Sequence, residues 1–225
     1  MLWNVLERIL YWTLRIATFS TVEIINEGGM LELAGCEPLV LAANHQSHTD
    51  TSILFHAVPN SRRERMRIVA SEIRFRPAEL NASWRERLER WFMHGVAVHV
   101  YSAIFVGGEV GRIRSIDVIT QAIEEGNTVV LYPEGTRSSD GALGALRPGV
   151  ALTAIHTGCK VIPVRIDGTG KALPRSRYFP RFRSRVTVRF RAPLVAFRQE
   201  EPNAFLHRLT KQLLPNSSTQ NRMPQ

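Results

Sequence analysis

The sequence predicts a single α/β domain with a mixed, mostly parallel central sheet flanked by helices, and an amphipathic helix added at the N-terminus. Short apolar runs at 39–43 and 128–132 and a strand candidate at 161–166 alternate with stretches of helical periodicity such as 111–125. The chain's 225 residues, 44% hydrophobic and 22% charged, suffice for one full core and are ordinary for a globular domain.

Taken in order, residues 1–20 are dense in apolar and aromatic side chains, with Trp3, Tyr11 and Trp12 beside arginines. Glu7, Arg8 and Arg15 interrupt the apolar run, which leaves it too short to span a bilayer. It also lacks the basic start and small-residue cleavage site of a signal peptide. A helix lying at a membrane interface fits this composition; packing of its apolar side on the domain is the alternative. The domain itself is expected over 21–214, with a disordered tail at 215–225.

Within the domain, 21–26 alternates like a strand and 31–34 is a candidate partner for it. The apolar run 39–43 reads as a buried strand leading straight into a polar turn, and 51–58 as a helix ending before Pro59. A basic run at 62–67 reads either as a solvated face or as a membrane or ligand contact, and 68–71 as a strand. Residues 77–91 hold a loop and an amphipathic helix whose stripe of Trp84, Leu88, Trp91 and Phe92 is expected to face the core. Residues 96–106 are β-rich, 111–125 form a helix stopped by Gly126, and 128–132 is the clearest buried strand. A helix after Pro148, strands at 161–166 and 185–191, and a helix at 203–214 complete the domain.

Two polar blocks follow the two clearest strands. Asn44-His45-Gln46-Ser47-His48-Thr49-Asp50 offers an imidazole with a carboxylate five residues on. A carboxylate on one ring nitrogen fixes the tautomer and leaves the other nitrogen free to take a proton from a hydroxyl. His48 competes for Asp50 but is only two residues from it. The plainer alternative is a strand-to-helix turn in which Thr49 or Asp50 caps the helix.

Tyr132-Pro133-Glu134-Gly135-Thr136-Arg137-Ser138 offers a tight turn whose Arg137 presents a planar, permanently charged fork suited to phosphate. Ser138 and Ser139 add hydroxyls, and Arg147 and Lys171 are further cations downstream. Glu134 suits orienting Arg137 or a backbone amide better than meeting phosphate. A surface turn with a local ion pair is the competing reading. Together the blocks imply deprotonation of a hydroxyl on a phosphorylated substrate.

Other classes drop out. A formal charge of +9 and a pI near 10.5 favour anionic partners. Nucleic acid is not expected, because no binding motif appears and aromatics do not interleave with the basic clusters. Cys36 and Cys159 are too few and too far apart for a disulfide scaffold or zinc knuckle and read as buried thiols. No metal constellation, Walker loop or dinucleotide glycine pattern is present.

With both blocks in view, the chain resembles the glycerophospholipid acyltransferases of the lysophosphatidic acid acyltransferase (PlsC-like) family. The NHxxxxD motif of that family matches Asn44, His45 and Asp50, and its FPEGTRS motif matches 132–138 with tyrosine in place of phenylalanine. Asp140-Gly141, Arg147-x-Gly149 and Ile162-Pro163-Val164 look like the sequels, so the likeness covers roughly 38–193. The resemblance implies transfer of a fatty acyl group from acyl-CoA or acyl carrier protein to a lysophospholipid hydroxyl, most of all that of 1-acyl-sn-glycerol 3-phosphate.

In that family the histidine is the general base and the aspartate its partner, which assigns His45 and Asp50. The second motif meets the acceptor phosphate, which carries over Glu134, Gly135, Thr136 and Arg137. Neither a metal, a cofactor nor a covalent acyl-enzyme is implied. A peripheral position on the cytoplasmic face of a membrane with anionic lipids is expected. One departure stands out: where the family's second block ends in an arginine, this chain reads Ile104-Phe105-Val106-Gly107-Gly108-Glu109. Arg112 and Arg114 are the nearest substitutes. Another acceptor, such as glycerol 3-phosphate or another lysolipid, and a catalytically silent lipid-binding protein are the alternatives.

Overall fold

The computed structural model describes residues 21–75, 82–108, 111–138, 140–172, 184–197 and 199–215. The helix expected over 1–20, nearly all of the expected tail, Ser139 and Glu109 lie outside the described residues.

Among those residues a seven-stranded sheet runs in the order β1-β7-β6-β2-β5-β3-β4. The strands are β1 (Thr21–Glu27), β2 (Leu39–Ala43), β3 (Met66–Ser71), β4 (Ile104–Val106), β5 (Thr128–Leu131), β6 (Lys160–Asp167) and β7 (Arg185–Arg191). All neighbours are parallel except β6 and β7. The helices are α1 (Met30–Ala34), α2 (Thr49–Ala57), α3 (Asn60–Arg63), α4 (Glu72–Phe75), α5 (Trp84–Gly95), α6 (Arg112–Glu124), α7 (Gly149–Thr157), α8 (Thr169–Ala172) and α9 (Pro202–Leu213). The mixed, mostly parallel α/β architecture is the one expected.

β2 shows why apolar runs mark central strands. Its five residues are all buried, because Leu39, Leu41 and Ala43 enter one core layer while Val40 and Ala42 enter the other. The first layer packs under α2 through Ile53, Leu54 and Phe55. The second packs under α6, α7 and α9 through Ile119, Ile123, Ala151, Phe205 and Leu209. A strand covered on both faces has no polar side to alternate with.

Five expectations are corrected, one of them briefly: Cys36, read as a buried thiol, is exposed, and Cys159 is only partly buried. Residues 31–34 form the helix α1, not a strand, and the partner of β1 is β7. The Asn26 side chain accepts the amides of Gly28 and Met30 at 2.9 and 3.1 Å, and Gly28 takes φ +108°, so the chain turns out of the strand direction at once. Residues 96–106 are a strand only from Ile104; Val96–Val100 extend α5 as a π-helical turn, with the Tyr101 amide bonded to Val96 O at 3.3 Å. Val96 and Val100 pack on the first core layer from that turn.

The basic run is neither a solvated face nor a contact throughout. Arg62 is 4% exposed, and its guanidinium donates to Leu33 O, Glu37 O, Glu32 O and Thr128 Oγ1 at 2.7–2.9 Å, and also to Gly35 O. It ties the end of α1 and the loop after it to β5. Finally, the α5 stripe does not face the core: Trp84, Leu88, Trp91 and Phe92 are 69%, 54%, 73% and 57% exposed. Helical spacing shows that the stripe lies on one side, and cannot show what that side meets.

Candidate functional site

Both blocks begin at the C-terminal ends of β2 and β5, adjacent parallel strands with Ala42 opposite Leu131. Two polar turns separated by some ninety positions in sequence thus emerge side by side at one end of the sheet, the usual place for a site in an open parallel sheet.

His45 is partly exposed, and its Nδ1 lies 2.8 Å from Asp50 Oδ2. That carboxylate is fully buried, and Oδ2 also accepts the amides of Gln46 at 2.6 Å and Ser47 at 2.8 Å. Asp50 sits in the first turn of α2, but its carboxylate reaches back over the preceding turn and caps nothing in its own helix. The competing reading of a simple helix cap does not describe this turn. His48 is exposed at the helix start, and it is His45 that the Asp50 carboxylate engages, through Oδ2. With Nδ1–H donating to the carboxylate, the network assigns Nε2 of His45 as the bare, basic nitrogen.

Asn44 braces the turn from below. Its Nδ2 donates to Ile166 O at 2.8 Å and its Oδ1 accepts the Ile166 amide at 2.6 Å, which fastens the end of β2 to β6. Tyr132 flanks the imidazole: the ring centroids are 4.1 Å apart with planes 20° from parallel. Its hydroxyl is 3.0 Å from Thr51 Oγ1. Burial, reinforced by the Asp50 charge, pushes the Tyr132 phenol well above its ordinary range, so it stays neutral. Tyr132→Phe keeps the stack and removes only this one hydrogen bond. It is expected to cost about 1 kcal/mol in denaturant melts and to change turnover by less than roughly threefold.

Glu134 joins the blocks. It is 7% exposed; Oε1 accepts the His45 amide at 2.9 Å and Oε2 accepts the Gly144 amide at 2.8 Å. The amide of Ser138 donates to His45 O at 2.8 Å, so the backbone of the second turn grips the first directly. Of the two roles considered for Glu134 from its residue type, orienting a backbone amide is the one the geometry shows. The phosphate contact implied by the resemblance has no carboxylate oxygen left unengaged.

Gly135 takes φ +67°, and a Cβ there would come within 2.5 Å of Arg147 Nε, so the glycine lets that guanidinium lie over the turn. An open cleft of about 320 Å³ is lined by Glu134, Thr136, Arg137, Ser138, Asp140 and Gly144. Asp140 accepts the Ser138 hydroxyl at 2.9 Å and the Ala142 amide at 3.0 Å, and these bonds, the amide first, hold its carboxyl below the usual range.

Gly107 and Gly108 follow the edge strand β4 with φ of +81° and +61°, and the Gly107 amide donates to Ser115 Oγ at 3.0 Å. Arg114 is exposed on α6; Lys171 is exposed on α8. The side chain of Arg112 lies outside the described residues.

An acyltransferase family model matches residues 25–167. Over 54 residues the chain is 43% identical to a chloroplastic 1-acyl-sn-glycerol-3-phosphate acyltransferase of Arabidopsis thaliana, a stretch that is 24% of this chain and 15% of that protein. A 1-acyl-sn-glycerol-3-phosphate acyltransferase of Chlamydomonas reinhardtii is 24% identical over 149 residues, 63% of this chain and 37% of that one. The matched stretches therefore span well under half the length of these curated relatives. The crystal structure of a 1-acyl-sn-glycerophosphate acyltransferase from Thermotoga maritima superposes with a TM-score of 0.61 at 19% identity, covering 92% of this chain and 79% of that one. That likeness shows a common fold.

Proposed function

Since the chain belongs to the acyltransferase family, we propose that it moves a fatty acyl group from acyl-CoA or acyl carrier protein to the free hydroxyl of a lysophospholipid, foremost 1-acyl-sn-glycerol 3-phosphate. The observation that carries this reading is the 2.8 Å contact between His45 and a buried Asp50. Nε2 of His45 takes the acceptor's hydroxyl proton as that oxygen forms a bond to the thioester carbonyl carbon. The resulting tetrahedral oxyanion collapses, the carbon–sulfur bond breaks, and the imidazolium returns its proton to the departing thiolate. Asp50 balances the imidazolium charge between those steps. A thioester is already activated, so the scheme calls for neither a metal, a cofactor nor an acyl-enzyme; a placed base and a placed acceptor supply the acceleration.

Arg137, lining the cleft beside the base's turn, is assigned to the acceptor phosphate, with Thr136 offering a hydroxyl. Arg137→Ala is expected to raise KM for lysophosphatidic acid by roughly 10- to 100-fold while leaving an unphosphorylated acceptor nearly unaffected. Thiol release from acyl-CoA, measured with purified protein in detergent across lysophosphatidic acid, glycerol 3-phosphate and a zwitterionic lysophospholipid, checks this. A clear preference for an unphosphorylated acceptor would remove the clamp. No turnover with any acceptor would leave a silent lipid-binding protein.

The glycines at 107 and 108, in the place where the second block of the resembled family ends in an arginine, favour a second reading with a differently charged acceptor. Peripheral attachment to an anionic membrane belongs to the same proposal. Among the described residues no helix is long and apolar enough to cross a membrane.

A further inference from the structure

The exposed face of α5 is an apolar feature that the site leaves unused. At about 100° per residue, Trp91, Trp84, Leu88 and Phe92 fall within an arc of roughly 100°. Arg85 and Arg87 stand on its two shoulders, and Glu86 lies on the far side, engaged with Ser83 in a capping box that fixes the helix start. The Arg85 guanidinium lies 5.4 Å from the Trp84 ring. Ile73, 62% exposed on α4, is a further apolar group in the same β3–β4 connection. Isolated exposed leucines are ordinary; two tryptophans, a leucine and a phenylalanine on one helix face are not.

The position of this connection is equally specific. Ile68 stands opposite Val130 on β5, so β3 ends at the same end of the sheet as the catalytic turns, and α4 starts there. The π-helical continuation of α5 packs on the core layer that carries α2, with Tyr101 edge-on to Phe55 at 4.9 Å. The apolar face therefore belongs to the layer that bears Asp50.

We propose that α5 is a lipid-docking helix: Trp84, Leu88, Trp91 and Phe92 sink into the acyl boundary of an anionic bilayer while Arg85 and Arg87 meet its phosphates. Charge complementarity selects this occupant over a protein partner. The apolar arc is rimmed by guanidinium groups, Glu86 is held at the helix start by Ser83, and the chain carries +9 overall. Aromatic residues at the interface and arginines at headgroup level are the arrangement an in-plane helix requires. The docking rests on the proposed function only for its purpose, which is to bring the catalytic end of the sheet to the surface that holds the acceptor.

Full-length protein carrying Trp3→Phe and Trp12→Phe retains Trp84 and Trp91 as its only indoles. With vesicles of phosphatidylglycerol and phosphatidylcholine, their emission is expected to shift to the blue and to be quenched by bromine-labelled acyl chains. Indoles that stay unquenched while the protein sediments with vesicles, or that resist aqueous acrylamide before vesicles are added, would overturn the proposal. The latter would mean a covered face, whether by a second copy or by the chain itself. Leu88→Glu with Trp91→Glu is expected to weaken vesicle partition at least about tenfold and to leave thiol release in detergent unchanged. Unchanged partition would sink the docking whatever the turnover, and vesicle binding without turnover would sink only the function.

Discussion

Replacing His45 by alanine is expected to lower turnover of acyl-CoA with lysophosphatidic acid by roughly a hundredfold to ten-thousandfold, the range that a placed general base contributes. The ring stacks on Tyr132, so lost packing costs about 0.5–1.5 kcal/mol. The buried Asp50 carboxylate also loses one of its three donors, at about 1–3 kcal/mol more. Activity should therefore vanish from a protein that still melts cooperatively, roughly 5–15 °C below the original. Thiol release and a thermal melt on the same preparation check both halves. Release at an undiminished rate would show that the proton goes elsewhere, and the Asp50 contact would then be a turn brace alone.

Glu134→Ala should likewise damage the fold and the activity together. Its two oxygens accept the amides of His45 and Gly144. Removing a buried acceptor leaves both donors unsatisfied, at about 1–3 kcal/mol each. For a chain of this length that total lowers the melting temperature by roughly 5–15 °C. Turnover falls as well, because the amide held by Oε1 belongs to the base itself. Glu134→Gln keeps one acceptor and turns an amide group towards the other donor, and should fall between the two. Direct contact with the acceptor phosphate would give a different pattern: a raised KM at an unmoved melting temperature. The pair of measurements separates a latch between turns from a substrate contact.

What could be read in advance divides along a physical line. β2, β5 and β6 were legible because strands buried on both faces are mostly apolar, with Arg165 a buried, hydrogen-bonded exception in β6. The histidine and its carboxylate were legible because five positions span one turn, and Arg137 because its turn follows a strand. Features built from distant segments were not. Asn44 finds its partner 122 positions away, and Arg62 draws its acceptors from the end of α1, the loop after it and β5. No local pattern distinguishes such an arginine from its exposed neighbours. Glu134 was half legible: its residue type favoured a backbone amide, but only the adjacency of β2 and β5 says whose. The stripe on α5 failed for a related reason, since periodicity reports a one-sided helix equally well whether that side meets protein or lipid.

The single antiparallel pairing, β7 against β6, has an effect on the chain's point of entry. Because β1 copies the direction of β7, Thr21 lies beside Arg185, five positions beyond Asn26, which is level with Phe190 and, through Val164, with Ala43. The first residue of the sheet thus projects about 17 Å past the strand end that bears the base, on the same side. A wholly parallel sheet would have admitted the polypeptide from the opposite pole. Thr21 is thereby brought to the side of the sheet on which the two polar turns emerge, beside the strand end that bears His45.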